Sequence, residues 1–149
     1  MGDLTKNLSR EEFACQCEYS DCTRTPVDFD LPTLLQDCVD HFAYLEKGHS
    51  QMFKRVACKI NSGYRCEKHN EDITDGKGSG IHTTGMAADF KMSYVYGDGS
   101  RKRVPEEEIA EYLERRYPDS MGIGRYPRED GTGRVHFDVR PDGPARWKG

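Results

Sequence analysis

The 149-residue sequence is short of apolar runs, of positive charge and of tryptophan. None of its hydrophobic stretches approaches the about 20 residues that a membrane-spanning helix needs. With a mean hydropathy of -0.87, a place inside a bilayer is excluded. Acidic residues outnumber basic ones, 26 to 22, for a net charge of -4. Without a basic surplus to neutralise a phosphate backbone, nucleic acid is not an expected partner. The N-terminal stretch MGDLTKNLSREEFACQC has neither the basic nor the apolar region of a secretory signal, which predicts synthesis in a cytosol. Internal repeats and low-complexity tracts are also missing. What remains reads as one ordinary domain over residues 1–149, with a lean core from 35% hydrophobic residues and residues 1–12 as a flexible N-terminal arm.

Six cysteines are present: Cys15, Cys17, Cys22, Cys38, Cys58 and Cys66. In a reducing compartment their even number does not imply a disulfide framework. Cys15-x-Cys17-x4-Cys22 supplies half of a structural zinc site but lacks paired C-x2-C spacing, so separate buried or surface thiols are expected.

Apolar periodicity predicts a helix from Asp30 to about Lys47, in which Leu31, Leu34, Leu35, Cys38, Val39, Phe42 and Leu45 form one stripe. Asp30 is its expected N-cap and Pro32 falls in its first turn. A second helix is predicted from about Pro105 to Tyr117: Glu106, Glu107 and Glu108 complement the positive end of the dipole, and Ile109, Tyr112 and Leu113 make the apolar face. Strand character marks Arg55–Ile60, Ala87–Met92, Gly122–Tyr126 and Arg134–Val139. With the polar, Gly-rich loops 75–80, 97–100 and 128–133, the pattern predicts an α+β fold, a small antiparallel sheet with flanking helices and long loops. Function should sit where those loops meet the sheet.

The densest chemistry is Gly80-Ile-His82-Thr-Thr-Gly85-Met-Ala87-Ala-Asp89-Phe and, later, Arg134-Val-His136-Phe-Asp138-Val-Arg140. A catalytic zinc takes three protein ligands, for which imidazole and carboxylate are suitable donors, and keeps a fourth position for water. His82, Asp89 and His136 fit that inventory, although spacing alone favours hydrogen-bonded structural histidines over ligands. His41, His49 and His69 read as helix-face, exposed or hydrogen-bonded residues rather than ligands, and Trp147 as a packing anchor.

The first segment resembles the S-x-H-x-x-G-x-A-x-D signature of the zinc D-alanyl-D-alanine peptidase family. Met121-Gly-Ile-Gly-Arg-Tyr126-Pro with Val135-His-Phe-Asp-Val-Arg140 is similar to the G-x-G-x-Y and V-H-x-D-x-R endings of its carboxypeptidase and endolysin branches. Ser62-Gly63-Tyr64-Arg65 and Asn70 resemble its S-G-Y-R segment and the asparagine that follows. The match runs in order from about Phe13 to Trp147. It implies one zinc per chain on His82, Asp89 and His136, Arg65 engaging a substrate carboxylate or developing oxyanion, and Tyr126 lining the cleft. Gly85 would permit a turn or close approach, and Ala87 would leave room beside Asp89. The sequence departs from the family at Gly80, where serine is usual and Ser79 comes one residue early, and at Gly133, where several branches carry an acid.

Because residues two apart in a strand share a face, Asp138 is the expected general base or the orienting partner of His136, unless it is a strand-end acid paired with Arg140 or Arg125. Glu129 and Asp130 are reserve bases. The resemblance implies a zinc metallopeptidase, monomeric, that hydrolyses an amide bond in the peptidoglycan stem peptide. It would be a D,D-carboxypeptidase or endopeptidase, reaching the cell wall after phage-driven release. Two alternatives stand beside it: a non-catalytic zinc-stabilised binding module of hedgehog-like fold, and a structural phage protein.

Overall fold

The computed structural model describes residues 2–76 and 80–149. Its long first helix, α1, spans Asp30–Lys47, as the periodicity predicts. Phe29, not Asp30, stands at the cap, while the Asp28 carboxylate accepts the Asp30 N–H at 3.0 Å. A second, shorter helix, α2, runs over Glu67–Thr74, and α3 covers Glu106–Arg116. The strands are β1 Phe53–Ser62, β2 Ala87–Tyr96, β3 Arg101–Arg103, β4 Gly122–Tyr126, β5 Arg134–Asp138 and β6 Ala145–Lys148. The fold is α+β, and β1, β2, β5, β4 and β6 follow one another across a sheet in which β3 also pairs with β2. The expected wholly antiparallel sheet is corrected to a mixed one, because β6 lies parallel to β4. That last strand, like β3 and α2, is too short and polar to announce itself by periodicity.

Strand alternation sorts the sheet into two faces. Phe90, Met92, Ile123, Val135 and Phe137 enter one core with Leu31, Leu35, Cys38, Val39 and Phe42 of α1 and Ile109, Ala110 and Leu113 of α3. Each of the larger apolar side chains contributes about 1.5–3 kcal/mol when fully buried. The opposite face carries Asp89, Arg134, His136 and Asp138.

Residues 2–12 are not an arm. Leu8 is fully buried, the Gln36 side chain of α1 accepts from Thr5 Oγ1 and Asn7 N, both at 2.9 Å, and Gln36 Nε2 donates to Asn7 Oδ1 at 2.8 Å. Phe13, also buried, lies so close to Gly63 that a Cβ there would fall 2.7 Å from the Phe13 backbone. The apolar residues at 4, 8 and 13 are spaced too irregularly to read as an element, yet tertiary packing holds them.

Candidate metal centre

The register of the sheet assembles the site. Asp89 of β2 lies opposite His136 of β5, His136 lies opposite Gly124 of β4, and Gly124 lies opposite Trp147 of β6. His82 arrives from a 3-10 turn at Gly80–Thr84, just before β2. Gly85 allows the chain to turn between the two: its φ is 76°, and its carbonyl accepts the Asp28 N–H at 2.8 Å. Ser79 lies outside the described residues.

One ligating atom from each of His82, Asp89 and His136 falls within 4.8 Å of the others, and all three residues are buried. The imidazoles are fixed from outside. His82 Nδ1 bonds the Gly63 carbonyl at 2.7 Å, which turns Nε2 inward to 3.6 Å from Asp89 Oδ2. His136 Nε2 faces Asp138 Oδ2 at 2.7 Å, which turns Nδ1 inward to 2.9 Å from Asp89 Oδ1. Outer acceptors of this kind set the tautomer of metal-ligating histidines. Two inward ring nitrogens and a carboxylate converging on one point make a donor set suited to a cation, and the residues present therefore fit a zinc ion.

Electrostatics follow from this enclosure. Burial lowers the His82 pKa to about 4 even against the attraction of Asp89. Burial also pulls His136 down, but its hydrogen bonds to Asp138 and Asp89 outweigh that and leave it raised. Asp89 and Asp138 are both opposed by burial yet held below the ordinary carboxylate range, Asp89 first by the His136 hydrogen bond and Asp138 first by that of Arg140. The sign for stability is set by His82. Between its ordinary pKa of 6.5 and about 4, the unfolded chain binds a proton that the folded chain refuses. Stability of the metal-free protein therefore falls as pH drops through that window, by up to about 1.4 kcal/mol per pH unit. His136 does not offset this, since its raised pKa gives a contribution already complete below 6.5. Urea denaturation of stripped protein at pH 6 and pH 5, both inside the window, should show the loss, and equal midpoints would contradict it.

Asp138 is fully buried and its oxygens are engaged: Arg140 donates to Oδ1 from Nε and to Oδ2 from Nη2, both at 2.6 Å. Of the two roles expected for it, its contacts are those of the orienting partner of His136, and both oxygens are already bonded. The Arg140 pairing foreseen for it is present as well, whereas Arg125 bonds Glu107 and Glu114 instead. A Cβ on Gly122 would fall 2.1 Å from Asp138 Oδ2. Gly122→Ala should therefore displace this carboxylate and cost about 1–3 kcal/mol in urea unfolding; an unchanged midpoint would show that the carboxylate does not press on the strand.

Arg65 is held, not loose. Ser62 Oγ accepts its Nε at 3.0 Å, Asn70 Oδ1 its Nη1 at 3.4 Å, and Nη2 reaches Asp89 Oδ2 at 3.5 Å. The serine and asparagine flanking Arg65 thus grip its guanidinium, and the intervening Gly63 grips His82. A cavity of about 340 Å³ opens over the centre, walled by Arg65, Tyr126, Arg134, Arg140 and Trp147 beside the three candidate ligands.

Three of these walls were missed by sequence reasoning. Arg134, whose Nε lies 3.7 Å from Asp89 Oδ2, shares the strand face of His136 and Asp138, so alternation could have flagged it. Arg140 was seen only as a partner for Asp138. Trp147 was read as a packing anchor, but it rests against the His136 ring at 4.9 Å and donates to the Tyr126 hydroxyl at 2.7 Å. Glu129 and Asp130 do not line the cavity, and Asp130 closes a turn on Thr132. His41 stacks on Tyr112 between α1 and α3, at 4.2 Å. Neither it, His49 nor His69 joins a metal-binding group among the described residues.

The sheet with an inward His–Asp–His set defines a candidate metal centre open to a cleft. Residues 6–136 match the family model described as Peptidase M15. The chain belongs to this family of zinc-dependent peptidases. No curated protein and no solved structure shows a significant match to it.

Proposed function

We propose that this protein hydrolyses an amide bond in the peptidoglycan stem peptide, as a D,D-carboxypeptidase or endopeptidase of the endolysin type. The observation that carries this reading is the cavity wall: three arginines, Arg65, Arg134 and Arg140, face a space whose only lining carboxylate among the described residues is the candidate ligand Asp89. Such a wall suits a substrate that brings its own carboxylates, as a stem peptide does, and planar guanidinium groups bind them with directional hydrogen bonds. Zinc, when bound, would supply a Lewis acid for the scissile carbonyl and lower the pKa of water to about 7. Arg65, fixed by Ser62 and Asn70, takes the substrate carboxylate or the charge that develops on the carbonyl oxygen. Tyr126 and Trp147 form the apolar wall that limits water. The preference for D-residues, the monomeric state and release at phage lysis rest on the sequence resemblance.

With Asp138 engaged by Arg140, a hydrolase needs another proton acceptor. The reserve bases do not meet that need where they stand: Glu129 and Asp130 are exposed on the loop between Tyr126 and Arg134 and line no part of the cavity. Glu129→Gln should therefore leave both kcat and zinc content unchanged, and a large fall in kcat would show that this loop closes over the cleft. The sealed Asp138 also favours a second reading, a zinc-stabilised binding module that performs no hydrolysis. Mass spectrometry of Gram-negative sacculi and free pentapeptide, incubated with zinc-loaded or chelator-stripped protein, separates the two. A defined bond cut only with metal supports the hydrolase. Stoichiometric zinc with intact peptides rejects it in favour of the module.

A further inference from the structure

We infer that the chain binds a second, structural zinc ion through Cys15, Cys17, Cys22 and Cys66. The sulfurs of these four half-buried residues all lie within 4.8 Å of one another. Cys66 Sγ stands 3.8 Å from Cys15 Sγ and 3.8 Å from Cys17 Sγ. A tetrahedron with zinc–sulfur bonds of about 2.3 Å has edges of about 3.8 Å, so these separations are those of thiolates sharing one ion. They are far beyond the about 2.05 Å of a disulfide, and one sulfur equidistant from two others selects neither as a covalent partner. An iron–sulfur cluster would spread thiolates on different irons more widely, which leaves a single tetrahedral ion, and four thiolates favour zinc.

The backbone explains how the site forms without the usual paired spacing. Residues 15–19 have no regular structure, and in extended chain positions two apart point to the same side, which aligns Cys15 with Cys17. A turn closed by the Cys22 N–H on the Tyr19 carbonyl, at 3.1 Å, brings Cys22 back. Cys66, at the cap of α2, supplies the fourth sulfur, and its own N–H donates to Cys15 Sγ at 3.3 Å, a bond that favours the thiolate. Binding exchanges four thiol protons for one dication, with no redox partner needed.

The segment needs such a tie. Its other links to α2, Lys68 with Asp21 at 3.3 Å, Tyr19 with Asp72 and Lys68 over the Tyr19 ring, join exposed side chains, and exposed ion pairs contribute little. The ion would bind this strap to the residue that directly follows Arg65, so the tetrathiolate would also fix the backbone of the cavity wall.

Metal analysis of full-length protein purified with zinc tests this independently of the peptidase reading. The expected content is two zinc ions per chain in the wild type and one in His82→Ala/His136→Ala. Cobalt loaded into that double variant should give the intense sulfur-to-metal charge-transfer absorption and visible bands of a tetrahedral tetrathiolate. Cys17→Ser/Cys22→Ser should lose the same ion; the cobalt spectrum of the histidine variant decides the matter if the cysteine variant fails to fold. One zinc in the wild type and none in the histidine variant, or the four thiols recovered as disulfides by alkylation and mass spectrometry, would overturn the inference.

Discussion

Alanine at position 136 should empty the His–Asp–His centre and reduce the proposed stem-peptide hydrolysis to background. The imidazole supplies one of the three inward donors found among the described residues, and Asp89 would then face a vacant corner 2.9 Å from where Nδ1 stood. Metal-assisted catalysis contributes several kcal/mol of transition-state stabilisation, so three or more decades of kcat/KM should go with the ion. Zinc content should fall by one equivalent per chain. The fold should persist, because Asp138 keeps its two-pronged bond to Arg140. Zinc-dependent turnover retained in this variant would sink the ligand assignment, whatever the true substrate.

Asp138→Asn should have the second largest effect, expressed through the metal and not through proton transfer. The amide could still touch His136 Nε2 but could no longer enforce an N–H there, so the inward lone pair on Nδ1 would be lost in part of the population. Outer partners of this kind are worth about 10–100-fold in metal affinity. Weakening of the Arg140 interaction should add up to about 1.5–3 kcal/mol of destabilisation, the range for hydrogen bonds to charged groups. Titration with a competing chelator should report the affinity loss, and saturating zinc should restore most of the turnover. If affinity were unchanged while kcat collapsed, Asp138 would be a proton acceptor after all and its engaged oxygens would have to open during catalysis.

The difference between these two variants shows what the sequence could and could not disclose. His82, Asp89 and His136 stood out because ligand chemistry restricts residue types. The α1 stripe and the strands around 87–92, 122–126 and 134–138 were legible because burial imposes period on a sequence. The role of Asp138 was ambiguous because alternation gives a face and not an occupancy; only the fold shows Arg140 closing on it. Trp147 was misjudged for a related reason. Its β6 has four residues and pairs in parallel with a strand about two dozen positions earlier, a long-range contact with no local signature. The thiol cluster is the same case in stronger form, since Cys66 joins three cysteines over 40 residues away and no short motif encloses all four.

The row Asp89, His136, Gly124, Trp147 crosses four strands drawn from distant parts of the chain. Such pairings have high contact order, and the loop-closure entropy they require delays them in folding. A slip of one residue in β5 would turn Val135 and Phe137 toward the cleft and His136 into the core. No partly folded intermediate can then hold the centre in native geometry. Capture of the His–Asp–His ion should be a late kinetic event that reports completed sheet assembly, lagging behind the burial of α1.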